Sequence, residues 1–295
     1  MMTTGSNKGT GSDFLLKMAE GSRTRLELAK RTCNEAKNLE RAGATDQPPA
    51  LKLGPQGFDL IAELKRRSPA EGELATESLS LEEQVAAYTA GGAAALSVLT
   101  EPEQFKGSLT DMKAAIAVAC KDGKRTPVMR KDFLVDAYQI AEARAYGASG
   151  ALMIAAILDK NQMQEMLACA AEFNLFVLME IFDERDLEHC MPVLEAAGPA
   201  IDNGICNWML GLNCRDLRTL QVDYGRFAQL APVLRETAGE NVPLVAESGV
   251  RSEEQAAEVA ELGYRLSLVG TALMKSGNPE SATAGLIEAG RQACS

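Results

Sequence analysis

From Phe58 onward, short apolar runs and longer stretches with helical spacing alternate with a regularity that few folds accommodate. The β-prone runs begin near residues 59, 94, 126, 151, 175, 208, 242 and 265. Helical periodicity covers 81–90, 108–120, 137–146, 160–173, 183–197, 224–236, 252–262 and 279–293. Eight strand–helix pairs within about 240 residues are the content of one α/β domain, a (β/α)8 barrel. A doubly wound open sheet is the competing arrangement. It requires a Gly-rich phosphate turn after the first strand, and none stands there.

Five of the apolar runs finish in polar groups. Thr126-Pro127-Val128-Met129 is closed by Arg130, Lys131 and Asp132, and Ile61-Ala62 by Glu63 and Lys65. Phe176 to Met179 ends in Glu180, Met209 to Leu212 in Asn213, and Leu244 to Ala246 in Glu247. Buried charge is costly unless partnered, so these endings predict one shared polar site at one end of a parallel sheet. Period-two alternation puts Glu63 and Lys65 on the same side, at the open top of a barrel interior. A purely structural ion pair is the competing reading for them. For Asn213 and Arg215, also two apart, it is a helix cap plus a solvated cation. Glu180 caps an apolar column, where burial or a nearby lysine would shift its proton affinity. The last two strands end in Glu247-Ser248-Gly249 and Gly270-Thr271, the places where such barrels hold a phosphate on backbone N–H groups. The substrate is therefore expected to be a phosphate ester.

The net charge of −11 argues against nucleic acid. Seven cysteines, an odd number without a C-x-x-C spacing, fit a reduced cytoplasmic compartment. No transit peptide is clear, so a plastid is an option only for a plant-like host. His189 is the sole histidine, which removes a histidine metal cluster; its neighbours Asp186, Leu187 and Glu188 read as a polar helix face. No apolar run approaches a membrane span. Residues 1–12 read as a disordered tail and 13–57 as a helical extension. Within it, one amphipathic helix runs from Phe14 to about Lys37, followed by a loop with Gly43 and Pro48-Pro49. Residues 58–295 form the barrel.

With those residues in view, the chain resembles the indole-3-glycerol phosphate synthase family of tryptophan biosynthesis. The likeness lies in Ile61 to Pro69, in Leu96 to Thr100 with Phe105 and Gly107-Ser108, and in Pro127 to Phe133 with Asp136 to Ile140. It resumes in Gly211 to Leu217, Ala246 to Val250 and Leu268 to Met274. It implies a carboxy-lyase that closes the indole ring of 1-(2-carboxyphenylamino)-1-deoxyribulose 5-phosphate, releasing carbon dioxide and water without metal or organic cofactor. By the same resemblance Lys131 is the general acid and Lys65 a second candidate. Glu180 moves a proton in dehydration, and Glu63 with Asn213 orients substrate and lysine. Arg215, Ser68, Ser248, Gly249, Gly270 and Thr271 bind anionic groups, Glu247 is a further substrate-binding residue, and Phe105 with Phe133 walls the aromatic ring. The small phosphorylated anthranilate derivative is the expected partner, and other tryptophan-pathway enzymes are a further one.

The chain departs from the family pattern at Cys214 and Asp216, where amides are common, and at Thr271, often Ser or Glu. The stretch from Glu180 to Asn213 is about a dozen residues longer than usual. The excess falls at Pro199 to Asn207, expected on the bottom face away from chemistry. A paralogue acting on a related amino-sugar phosphate and a catalytically idle barrel serving as a pathway partner are the alternatives. Retention of six polar groups in one pattern opposes idleness.

Overall fold

The computed structural model describes residues 11–68, 72–73, 79–218 and 221–294, with residues 11–13, 68 and 72–73 described by their backbone alone. Among these residues eight parallel strands close a barrel. They are β1 (Asp59–Leu64), β2 (Ala95–Leu99), β3 (Val128–Lys131), β4 (Gly150–Ile154), β5 (Phe176–Ile181), β6 (Trp208–Asn213), β7 (Leu244–Glu247) and β8 (Leu266–Val269). Each strand pairs with its neighbours in sequence, and β8 returns to β1 with Asp59 opposite Leu266 and Ala62 opposite Val269. Every residue of β1, β5 and β6 is buried, which explains why these strands read as continuous apolar runs rather than alternating ones.

The helices are α1 (Gly11–Thr32), α2 (Glu35–Ala44), α3 (Leu81–Ala90), α4 (Leu109–Ala119), α5 (Ala137–Ala145), α6 (Lys160–Glu172), α7 (Glu184–Ala196), α8 (Arg226–Ala238), α9 (Glu253–Glu261), α10 (Thr271–Lys275) and α11 (Pro279–Ala293). Their starts follow local chemistry. Ser80 and Glu83 form a reciprocal capping box on α3, Asp159 and Gln162 another on α6, and the Ser252 hydroxyl accepts from the Gln255 amide on α9. Pro127 and Pro243 sit just before β3 and β7, where their carbonyls still accept from Leu96 and Leu210 at 2.8 and 3.1 Å.

The N-terminal extension differs from the expected single helix. The chain breaks at Cys33-Asn34, because the Asn34 side chain accepts from the Lys37 amide and starts α2 as a cap. Gly43 consequently lies inside α2 rather than in a loop, and α1 begins at Gly11, inside the segment expected as tail; residues 1–10 of that segment lie outside the described residues. The extension is bound to the barrel beside β3. Arg25 pairs with Asp132 at 2.8 Å, Lys30 with Asp136 at 2.9 Å, and the buried Asn38 amide donates to the Tyr138 carbonyl at 2.9 Å.

The polar face expected around His189 is also corrected. Asp186 and Leu187 are buried, with Asp186 accepting from the Phe182 amide at 2.9 Å. His189 sits mid-helix and half-buried, its Nε2 at 2.9 Å from the Leu158 carbonyl oxygen. The extra segment before β6 folds as a hairpin of Ile201–Asp202 against Ile205–Cys206. Cys206 donates to the Leu51 carbonyl at 2.9 Å, which holds the hairpin against the segment that enters β1, at the end opposite the polar strand termini. No described helix is long and apolar enough to cross a membrane.

Candidate active site

Successive strand residues face opposite sides, and β3 uses that rule to separate its two terminal cations. Arg130 reaches α5, where it donates to the Gln139 carbonyl at 3.1 Å and pairs with Glu142 at 2.8 Å. Lys131 enters the barrel mouth instead. Its Nζ lies 3.2 Å from Glu180 Oε2 and 3.1 Å from Glu247 Oε2. On β1, Glu63 Oε1 pairs with Lys65 Nζ at 2.6 Å. Four strands thus place three carboxylates and two ammonium groups within one cluster.

Gly211 is what lets that cluster close. It lies opposite Glu180 in the β5–β6 register, and a Cβ there would collide with Glu247 Oε1. Asn213 stands opposite Glu247, and its Oδ1 accepts from the Arg215 amide at 2.9 Å, fixing the chain's exit from β6.

The electrostatics follow from crowding. Burial disfavours the charged form of Lys131, but Glu247, Glu180 and Glu63 outweigh it and raise the ammonium's pKa well above the usual lysine range. Burial would likewise raise Glu63; Lys65, Lys131 and the more distant Arg215 reverse this and hold it ionised, its pKa lowered. Glu247 goes the other way. Burial, helped by the Glu180 carboxylate and opposed by Lys131, pushes its pKa up to about 8. Glu247 is therefore biased toward its protonated form, while Glu63 is held ionised.

Above the cluster, the chain turns sharply after β7, with Ser248 and Gly249 at φ of +60° and +107°. A Cβ on Gly249 would meet Cys214 Sγ at 2.7 Å, so this turn admits only glycine at its second position. Gly270 opens α10 next door, followed by Thr271 and Ala272. All of these residues line the mouth of a cavity of about 310 Å³. Successive backbone N–H groups beside Arg215 and Arg251 suit an anionic group. Across the mouth, Phe105 and Phe133 stand with ring centroids 6.3 Å apart, and Phe14 of α1 meets Phe133 edge-on at 6.3 Å.

The structure brings Glu63, Lys65, Phe105, Lys131, Phe133, Glu180, Asn213, Arg215, Ser248, Gly249, Gly270 and Thr271 around this single cavity. Glu247 lies behind it, reached through Lys131. Ser68 follows β1 in a short ladder with Gly72, and its side chain falls outside the described residues. Sequence reasoning missed Phe14, Leu217, Val250 and Arg251, which also line the cavity. Arg251 had a usable signal, a cation directly after the Ser-Gly turn. Phe14 had none, because its partner Phe133 is remote in sequence. Among the described residues no group of His, Cys, Asp or Glu is placed to hold a metal.

The cluster offers a buried ammonium and buried carboxyls of opposed proton affinity beneath an anion cradle and beside aromatic walls. That set suits acid–base chemistry on an aromatic phosphate ester. Known proteins agree in kind. A sequence model of the family described as indole-3-glycerol phosphate synthase matches residues 16–286. The chain is similar to the protein of that description from Micrococcus luteus, 40% identical over 277 residues, covering 91% of this chain and 94% of the relative. It is also similar to those from a Nocardioides species, 38% identical over 88% of this chain and 92% of the relative, and Mycobacterium leprae, 37% identical over 89% of each. Among solved structures, 3-hexulose-6-phosphate synthase from Salmonella typhimurium superposes with a TM-score of 0.56 at 15% identity, covering 80% of this chain and 99% of its own. Orotidine 5'-monophosphate decarboxylase from Sulfolobus solfataricus gives 0.54 at 10%, covering 81% and 99%. These two likenesses speak for the barrel alone.

Proposed function

The chain belongs to the indole-3-glycerol phosphate synthase family, and from that premise we propose how its own residues close an indole ring. The activity is that of a carboxy-lyase in tryptophan biosynthesis. It converts 1-(2-carboxyphenylamino)-1-deoxyribulose 5-phosphate to indole-3-glycerol phosphate with loss of carbon dioxide and water.

In our reading the phosphate lies on the Ser248-Gly249 and Gly270-Thr271 amides, with Ser68 as a further anion contact, and the aromatic ring lies against Phe105 and Phe133. Lys131 donates a proton to the ribulose carbonyl oxygen as the ring carbon bearing the carboxylate attacks. Carbon dioxide leaves from that carbon and restores aromaticity. The new hydroxyl departs as water, protonated by Lys131 or Lys65, while Glu180 takes the proton released as the indole double bond forms. Arg215 faces the substrate carboxylate. Glu63 holds Lys65 in place and, with Asn213, orients the substrate hydroxyls. Burial raises the proton affinity of Glu247, which lessens the charge it sets against Lys131.

The observation that carries this reading is Lys131 suspended between Glu180 and Glu247 at 3.2 and 3.1 Å, inside the aromatic-walled, cradle-topped cavity. The test adds the carboxyphenylamino-deoxyribulose phosphate and follows indole fluorescence. Growth of the signal in wild type and its loss in Lys131→Ala, folded by circular dichroism, supports the assignment of the acid. Near wild-type growth in the variant removes it.

We also infer a cytoplasmic location, supported by seven cysteines that are all unpaired.

A further inference from the structure

The loop leaving β6 carries Asn213, Arg215 and Leu217 past the cavity, and its two flanks are held by different means. Toward β7, Cys214 holds the loop: its backbone N–H donates to the Glu247 carbonyl at 3.0 Å and its thiol to the Ser248 carbonyl at 2.6 Å. Toward β5, among the described residues, the side chain of Arg218 spans the gap. Arg218 Nη2 lies 2.8 Å from Asp183 Oδ2, its Nη1 3.6 Å from Asp186 Oδ1 and its Nε 3.1 Å from Asp216 Oδ1. The guanidinium sits 5.2 Å from the centroid of the Phe182 ring. Its own backbone amide donates to Asp216 Oδ1 at 2.8 Å, which folds the loop back on itself.

Phe182 and Asp183 directly follow the end of β5, the strand that bears Glu180, and Asp216 directly follows Arg215. From this we infer that Arg218 is a positioning residue for ring closure, clamping the exits of β5 and β6 so that Glu180 and Arg215 keep a fixed separation across the substrate. The inference rests on the proposed activity and goes beyond it, because Arg218 touches neither the cavity nor the lysine cluster.

The clamp is specific to arginine. Only a planar fork can meet three carboxylates and a ring face together; an ammonium can serve one or two of them. Removing the charge does more than delete contacts. Asp183, Asp186 and Asp216 then face one another without the cation between them, Arg226 staying 3.4 Å from Asp216 Oδ2. Repulsion between the aspartates of the two exits drives the loop from its place. Displacement of Arg215, which faces the substrate carboxylate, costs substrate binding first.

The experiment compares wild type, Arg218→Gln and Arg218→Lys. In Arg218→Gln the KM for the carboxyphenylamino-deoxyribulose phosphate rises about tenfold while kcat falls less than about threefold, the pattern of lost positioning rather than lost acid. Arg218→Lys recovers KM to within about threefold of wild type. Hydrogen exchange at the amides of 214–217 runs about tenfold faster in Arg218→Gln, with the strands of the barrel unchanged. An unaltered KM, or unaltered exchange in that loop, overturns the inference. If wild type itself closes no ring, the proposed activity has failed, and the exchange measurement still judges the clamp.

Discussion

The two ends of β1 bury carboxylates almost equally, and they do opposite things. Asp59, at the entry of the strand, is 4% exposed; Glu63, near its exit, is 5% exposed. Asp59 accepts from the Gly54 amide at 2.7 Å and pairs with Arg291 of α11 at 2.9 Å, and it borders no catalytic cavity. It closes the bottom of the barrel by tying the entering chain to the last helix. Glu63 faces a cavity in company with Lys65 and Lys131. β3 shows the same contrast between adjacent residues, Arg130 satisfied in the helix layer and Lys131 held at the mouth. Burial alone therefore does not mark a functional charge. What marks it is a neighbouring void and partners whose own charges are mutually strained.

The sharpest way to break that comparison is at Lys131. Lys131→Met keeps the stem and removes the charge, so turnover should fall about 10²- to 10⁴-fold, the range attributed to a positioned acid. Retained fluorescence growth with a cooperative melt would place Lys131 with the structural charges instead.

Next comes the pair on β1. Asp59→Asn should lower unfolding free energy by about 1.5–3 kcal/mol, the value of a hydrogen bond to a charged group, and leave kcat within about twofold. Glu63→Gln should cost at least about tenfold in kcat/KM because Lys65 loses its anchor. Matched urea titrations and kinetics decide this; equal effects of the two changes on both readouts would erase the distinction.

Glu247 sharpens it through pH. Its folded pKa, about 8, lies above the ordinary 4.5, so the folded state holds a proton that the unfolded state releases. The associated stability is present below about pH 4.5 and is lost as pH rises toward 8, with a slope of at most about 1.4 kcal/mol per pH unit. Glu247→Gln should flatten that slope between pH 5 and 8 in chemical denaturation. A wild-type slope preserved in the variant would mean that another group titrates there.

The smallest effect is expected at the bottom-face hairpin. Replacing Ile201 and Ile205, exposed at 39% and 37%, by Ser should change stability by less than about 0.5 kcal/mol for each and leave turnover untouched. Altered kinetics would show that the bottom of the barrel communicates with its mouth.

How much of this was legible beforehand differs between elements. The alternation of apolar runs and helical stretches located all eight barrel strands and α3 to α9 with α11, because each is long or capped enough to announce itself; Ser80 with Glu83 is the clearest case. The site residues were legible where strands end in charge, since a buried run rarely closes on Lys or Glu without cause. The N-terminal break was not, because Asn34 reads equally as a helical residue or a cap, and the Tyr138 and Asp136 contacts that stabilise the two-helix arrangement lie about a hundred residues away. Phe14 escaped for the same reason, its partner Phe133 lying far along the chain.

By itself, then, the sequence determined the period, the number of strand–helix units and which strands end in polar groups, all of which are local properties of the chain. Tertiary structure alone decided which of two adjacent cations faces the mouth and which buried carboxyl has its proton affinity raised. It also decided which arginine bridges β5 to β6. Those outcomes depend on barrel closure, which sets the distances between groups on different strands. Charge interactions at a few ångströms follow those distances and not the order of residues along the chain.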